Sequence, residues 1–365
     1  MSTVTLLETR ARTTFAPSVR AVVVPDRRRE ARSALFTGAV AFVVASTGLA
    51  VALEATRPEW RDPEFGHRLV LLKHETRPLV IVIGTSRTQN AIAPAEMDFP
   101  NAVGAPRVFN FGQSAATPLK ELLTLHRLLD AGVRPTAVVV ELFPPALAVN
   151  ATDEAELRAR ATRLSARDIQ HLEPYSADLK QIRKSWFSAR VAPWSAQRQV
   201  LMSHGAPSWQ PWQQRIDFQW TSVERDGFQP VTEVREETRQ SLTAAAHREW
   251  ADAFIGFHPG DSSVRAVREI ATVCRANAIP VAFFIPPISP AFRAKFAPGV
   301  LARAEAYLLT LSTELGVPVF PAMVDMNEDE FMDGHHMLKH GAQRYSRWVA
   351  RTQIKPWLAN LGGNP

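Results

Sequence analysis

Two stretches far apart in the chain carry residues that could perform acyl chemistry together. One is Leu79 to Thr88, LVIVIGTSRT, where an apolar run leads through Gly84 into Thr85, Ser86 and Arg87. The other is FMDGHHMLKHG near the C-terminus, where Asp333 and His336 stand three positions apart. A serine hydroxyl is a weak nucleophile until a base takes its proton, and an acid close to a histidine on a turn can orient the ring and stabilise its charged form. Ser86 as nucleophile, His336 as base and Asp333 as the orienting acid is therefore one reading. The residues alone leave two others open. Ser86 suits a helix cap, and Asp333, His335, His336 and His340 contain enough donors for a metal site, although their spacing is not that of a HExxH helix.

The elements that must position these residues follow from hydrophobic pattern. Leu79 to Ile83 is aliphatic without polar alternation, as in a strand covered on both faces at the centre of a parallel sheet. Ser86 then falls at the carboxyl end of that strand, where open α/β sheets place their ligand sites, with Arg87 beside it as a candidate for substrate binding. Arg107 to Phe111 reads as a second strand, and Gly112 with the small residues after it suggests backbone exposed at a pocket. Leucines on a helical period mark a helix from Pro118 to Ala131, and Thr136 to Leu142 reads as a third buried strand. The alternation resumes with a helix at Ser263 to Ala278, a strand at Pro280 to Ile285, a helix at Val300 to Gly316, a short strand at Pro318 to Phe320 and a helix from Lys339 to Leu358. This order predicts an α/β fold, a doubly wound parallel sheet, over residues 78–360. Residues 143–260 break the pattern as a helical insertion holding Trp186, Trp194, Trp209, Trp212, Trp220 and Trp250, which can form its own small core or line a sugar-binding cleft.

Ahead of the domain, residues 34–53 run without a charge, which matches the roughly 20 residues needed to cross a bilayer core. The arginines of the 1–33 leader, with Arg27, Arg28, Arg29 and Arg32 abutting the apolar run, place that leader on the cytoplasmic side. Residues 54–77 read as a polar connector. The chain of 365 residues is 46% hydrophobic and 21% charged, enough for a real core. Its formal charge of +6 reads as scattered arginine without a basic stripe interleaved with aromatics, which argues against nucleic acid as a partner. The single cysteine, Cys274, cannot form an intramolecular disulfide and falls in a helical pattern as a core residue.

The motifs GTSRT, FNFG and DGHHMLKHG, each at a strand end or ahead of the last helix, resemble those of the SGNH, or GDSL, hydrolases in their membrane-anchored acyltransferase-like branch. The resemblance covers about Pro78 to Trp357 without the insertion and implies a flavodoxin-like three-layer sandwich. It also implies that Ser86, Asp333 and His336 form the triad, that the Gly112 N–H faces the oxyanion, and that Gly341 matches the glycine following the histidine. The family's third motif, an asparagine donor after the third strand, has no clear counterpart in ELFPPALAVN. Asn150 lies too far along, so Asn110 or the Gln113 side chain fills the place or the donor is missing. The implied activity is O-acyl transfer or ester hydrolysis, of O-acetyl groups above all, on a cell-envelope or exported polysaccharide, with a membrane-bound protein as acyl donor. The implied location is the periplasmic face of a bacterial inner membrane. No cofactor or metal is expected. The alternative is a catalytically silent polysaccharide-binding or assembly subunit on the same fold.

Overall fold

A computed structural model describes residues 27–55, 58–73, 75–102, 104–148, 161–175 and 179–362. The leader up to residue 26 and Asn150 lie outside the described residues. The chain divides into two units, residues 1–45 and residues 46–365. Among the described residues, one helix, Arg27–Ala55, is long and apolar enough to cross a membrane.

Five strands form one all-parallel sheet: β1 Leu79–Gly84, β2 Arg107–Gly112, β3 Ala137–Glu141, β4 Val281–Phe284 and β5 Val319–Phe320. Their spatial order is β2-β1-β3-β4-β5, a doubly wound order in which the winding reverses between β1 and β3. Strand side chains alternate between two faces. Ile81, Ile83, Phe109, Phe111, Val138 and Val140 join one buried cluster with the helices Pro118–Asp130, Asp261–Ala276 and Val300–Leu315. Val80, Val82, Val108 and Val139 join a second with Tyr345 and Val349 of the helix Lys339–Val349. The sheet is thus covered on both faces, which is why its strands read as unbroken apolar runs.

Three expectations shift. Residues 54–77 are not a plain polar connector, because the helix Pro63–Leu72 buries Phe65, Leu69 and Leu72 in the first cluster and places Glu64 and Arg68 inside the protein. The last helix runs from Lys339 to Gly362, as the pattern predicts, but its winding changes to a π-helical turn at Ala350–Ile354. Among the described residues the insertion is helical and without a strand, yet Leu147, Leu164, Ile169, Leu172 and Ile182 belong to the same cluster as the sheet. The insertion shares the main core because its helices bury their apolar faces there.

Candidate active site

β1 and β2 end flush, with Gly84 paired to Gly112, and Ile83 lies beside Val140 of β3. The chain leaves β1 at the point where the winding reverses, and the helix Ser86–Ala91 begins at once. Thr85, not Ser86, caps this helix, its hydroxyl accepting from the Arg87 N–H at 3.1 Å. The Ser86 side chain is therefore free of the capping role.

What holds the turn is Glu141, the last residue of β3 and wholly buried. Its carboxylate accepts from the N–H and hydroxyl of Thr85, from the N–H and hydroxyl of Thr88, and from Arg87 Nε at 2.8 Å. Burial opposes the charge, but Arg87 and the bonds from Thr88 and Thr85 outweigh it and hold the carboxyl below its ordinary range. The Arg87 guanidinium lies 3.8 Å from the centroid of the Phe143 ring, in cation–π contact. Its Nε is thus committed to Glu141 and its face to an aromatic, although the residue still lines the cavity described below.

The second half of the site is a closed turn. Phe331 and Met337 form an antiparallel bridge, and the Met332 N–H donates to the His336 carbonyl at 2.7 Å. Gly334 sits inside at φ 94, a backbone conformation that a side chain resists, and a Cβ there would meet Phe292 Cβ at 3.0 Å. Its carbonyl accepts from the Ser289 N–H at 2.8 Å, which ties the turn to the segment after β4.

Across the gap, Ser86 Oγ lies 2.7 Å from His336 Nε2, and His336 Nδ1 lies 2.7 Å from Asp333 Oδ2. Asp333 Oδ1 accepts the His336 and His335 N–H groups at 2.9 and 3.2 Å, so the acid is fixed to the backbone of its own turn. Burial disfavours the ionised acid, yet the hydrogen bond and charge of His336, with His335 behind them, hold Asp333 well below the usual carboxylate range. The arrangement can accept a proton from Ser86 and stabilise the resulting imidazolium. Asp333, His335 and His336 also bring ligand atoms within 4.8 Å of one another. His340 does not join them, being exposed on the last helix. Both ring nitrogens of His336 are already engaged, so this trio would have to break a bond of the relay to hold an ion.

Ser86 and His336 open into a cavity of roughly 470 Å³ bordered also by Ala115, Ala116, Trp250 and His335. Glu249 and Asp252 add negative charge to one wall. His335 packs among Phe143, Trp250 and Phe292, and burial, followed by the neighbouring His336, pushes its pKa well below the ordinary value, so it is neutral at pH 7. Ala115 adopts φ 46, rare for a residue with a Cβ, immediately after Ser114, whose N–H donates to buried Glu64 at 2.5 Å.

The structure does not bring the other named residues to Ser86 in the way the sequence suggested. The Gly112 N–H donates to Asn110 Oδ1 at 2.8 Å, and its lack of a Cβ admits the helix Ser86–Ala91, since a Cβ would meet the Gln89 backbone nitrogen at 2.3 Å. Asn110 is buried and its Nδ2 serves the carbonyls of Thr88 and Ile92 at 2.8 and 2.6 Å. Gln113 points elsewhere, donating from Nε2 to Thr124 Oγ1 at 3.1 Å. These residues brace the Ser86 helix and β2, and the small residues beyond them border the cavity. Neither Glu141 nor Glu64 stood out in the sequence as part of the site, whereas Trp250, one of the six tryptophans that could line a cleft, does border it. One signal was present, in that Glu141 is the lone acid ending an otherwise apolar strand, TAVVVEL.

No curated protein matches the chain. A family model described as "Protein of unknown function (DUF1574)" matches residues 65–347, a span that takes in all five strands, the insertion, and Ser86, Asp333 and His336. The chain belongs to that family.

Proposed function

We propose that the chain is a membrane-anchored serine O-acyltransferase or carbohydrate esterase, acting outside the cytoplasm on O-acyl groups, O-acetyl above all, of a cell-envelope or exported polysaccharide. The observation that carries the reading is the continuous relay from Ser86 Oγ through His336 to Asp333, with 2.7 Å at each step. The resemblance to SGNH hydrolases supports the acyl chemistry and the choice of polysaccharide. The apolar helix supports anchoring, and the arginines ahead of it support a domain outside the cytoplasm.

In this mechanism Ser86 Oγ attacks the acyl carbon as its proton passes to His336 Nε2. The tetrahedral oxyanion faces the Ser86 N–H, which as an early helix amide has no intrahelical acceptor, and the backbone at Ala115 and Ala116. Collapse breaks the bond to the leaving oxygen, which takes the proton from His336, and the acyl group remains as an ester on Ser86. A glycan hydroxyl or water then attacks, gives its proton to His336, and releases Ser86 with that proton restored. Anchoring favours transfer, because it holds the enzyme near a membrane-delivered donor and a nascent glycan at high effective concentration.

A second reading has its own observation. The Gly112 N–H is committed to Asn110 and no asparagine follows β3 at the expected place, so the oxyanion has few preformed donors, as befits a binding or assembly subunit. Treating the full chain in detergent with p-nitrophenyl acetate separates the two. The enzyme reading expects a mass-detectable acetyl ester on Ser86, absent in Ser86→Ala and slowed by orders of magnitude in His336→Ala. Added glycan that accelerates turnover and gains acetyl identifies a transferase, and turnover indifferent to glycan identifies an esterase. Folded wild-type protein that binds polysaccharide but never acylates Ser86 would establish the binding subunit.

A further inference from the structure

The insertion carries a charge pattern that a count over the whole chain hides. Residues 179–216 contain six basic residues, Lys180, Arg183, Lys184, Arg190, Arg198 and Arg215, and no Asp or Glu, so this stretch by itself matches the formal +6 of the chain. Aromatics are interleaved with these cations, of which Arg183, Arg190 and Arg215 pair with Glu173, Glu54 and Asp217 outside the stretch. Six large apolar side chains here face solvent: Phe187 at 62% exposure, Val191 at 57%, Trp194 at 50%, Met202 at 36%, Trp209 at 80% and Trp212 at 72%. Phe187 and Val191 lie four apart on one face of the helix Leu179–Val191. Exposed tryptophans among cations, with no acid between them, are the composition of a protein surface that lies in the headgroup region of an anionic bilayer.

The structure also places this surface beside the end of the apolar helix. Arg190 Nη2 donates to Glu54 Oε2 at 2.8 Å, and Arg61 reaches the same carboxylate at 3.1 Å. Ala50, Leu53 and Glu54 share a small cleft with Ala189, Arg190 and Pro193. On the other side, His204 is stacked between Trp60 and Trp220 at 4.6 and 4.1 Å, which ties the segment leading to Trp209 and Trp212 to the residues just after the helix. Glu54 follows Leu53, the last residue of the uncharged run, and a helix rises only about 1.5 Å per residue, so no spacer separates the apolar run from the folded body.

We propose that residues 187–212 form a membrane-contacting face that beds into an anionic phospholipid surface around the exit of the apolar helix and fixes the catalytic body's height and tilt on the bilayer. The proposal rests on the reading that Arg27–Ala55 spans the membrane. The occupant is lipid because the surface is continuous with the end of that helix and because residues 187–212 hold two arginines, Arg190 paired with Glu54 and Arg198, and no acid of their own.

The test uses the full chain in vesicles of phosphatidylethanolamine and phosphatidylglycerol, with Cys274→Ala removing the single, buried cysteine. Phe187→Cys, Trp194→Cys and Trp209→Cys carry a nitroxide, alongside Leu309→Cys and Val324→Cys as exposed positions elsewhere, and Val43→Cys inside the uncharged run. Collision with oxygen and with a water-soluble nickel chelate reports depth. The expected result is a several-fold lower nickel collision rate at 187, 194 and 209 than at 309 and 324, with oxygen collisions raised. Nickel access at 187, 194 and 209 equal to that at 309, with 43 shielded in lipid, overturns the contact face and leaves the span standing. Nickel access at 43 overturns the span and the face together. Loss of shielding at 187, 194 and 209 when phosphatidylcholine replaces the acidic lipid is the further result expected of a charge-selective face.

Discussion

Two buried networks of arginine and carboxylate stand in this domain, and they differ in what their ions hold. Near Ser86, Glu141 binds Arg87 and also four donors from Thr85 and Thr88, so its charge is spread over the backbone that aims the serine. In the last turn of the helix Pro118–Asp130, Arg127 grips Asp168 through two bonds at 2.9 and 2.8 Å and Asp62 through one at 2.8 Å, joining three helices. Neither Asp62 nor Asp168 borders the cavity. A buried ion pair is weak evidence for stability, because desolvation offsets much of the attraction, and its value lies in what it orients. Burial and pairing alone do not mark a site. The mark is a carboxylate whose partners are the backbone of a turn that carries a reactive side chain.

The largest expected effect breaks the symmetry outright. Asp333→Asn should slow acylation of Ser86 on the order of 10⁴-fold, since the amide cannot stabilise the imidazolium. A stopped-flow burst with p-nitrophenyl acetate measures it, and an undiminished burst would remove Asp333 from the relay.

Next come paired substitutions. Glu141→Gln and Arg127→Met each leave buried charge uncompensated and should each cost about 3–5 kcal/mol of stability. Only Glu141→Gln should also lower the acylation rate per folded molecule. Urea unfolding combined with active-site titration separates the two quantities, and equal rates in both variants would mean that Glu141 orients the serine no more than Arg127 does.

Smaller is the response to acid. Glu141 and Asp168 have folded pKa values below their unfolded ones, with burial opposing and arginine outweighing it in each case. Their stabilisation is present above the unfolded value near 4 and is lost as pH falls through the lower folded values. Arg127→Met removes the cation that keeps Asp168 ionised, so the variant should begin to lose stability at higher pH than wild type. Urea midpoints measured across the acid range test this, and parallel curves would contradict it.

The smallest effect belongs to His126, stacked 4.1 Å from His171 one residue before Arg127. Burial first, then the charge of His171, lowers its pKa to about 4 against the pull of Asp130. The folded state therefore resists protonation, and stability should fall as pH drops from the unfolded value of about 6.5 towards the folded one. His126→Gln should flatten that slope, and a slope unchanged in the variant would assign it to another group.

The strands and the three relay residues were legible from sequence because each rests on short-range pattern. Val80 to Ile83 must be covered on both faces, and Asp333 and His336 are close enough to share one turn. The roles of Gly112, Asn110 and Gln113 were not legible. A backbone N–H or a side-chain amide is spent on whichever acceptor packing brings nearest, and here Asn110 takes the Gly112 N–H while Thr124 takes Gln113. The helical nature of Pro63–Leu72 was hidden by Pro63 and the charges, which suit a connector as well as a helix whose first turn tolerates a proline.

Composition and periodicity act within a few residues, and they suffice for the apolar run of residues 34–53, the order of strands and helices, and the chemistry available at Ser86, Asp333 and His336. Packing alone sets Glu141 on the serine turn, brings Trp250 and His335 to the cavity, and stands the aromatic face of the insertion beside Glu54. Those are contacts between residues dozens to hundreds of positions apart, and their partners are chosen by how the sheet and helices pack.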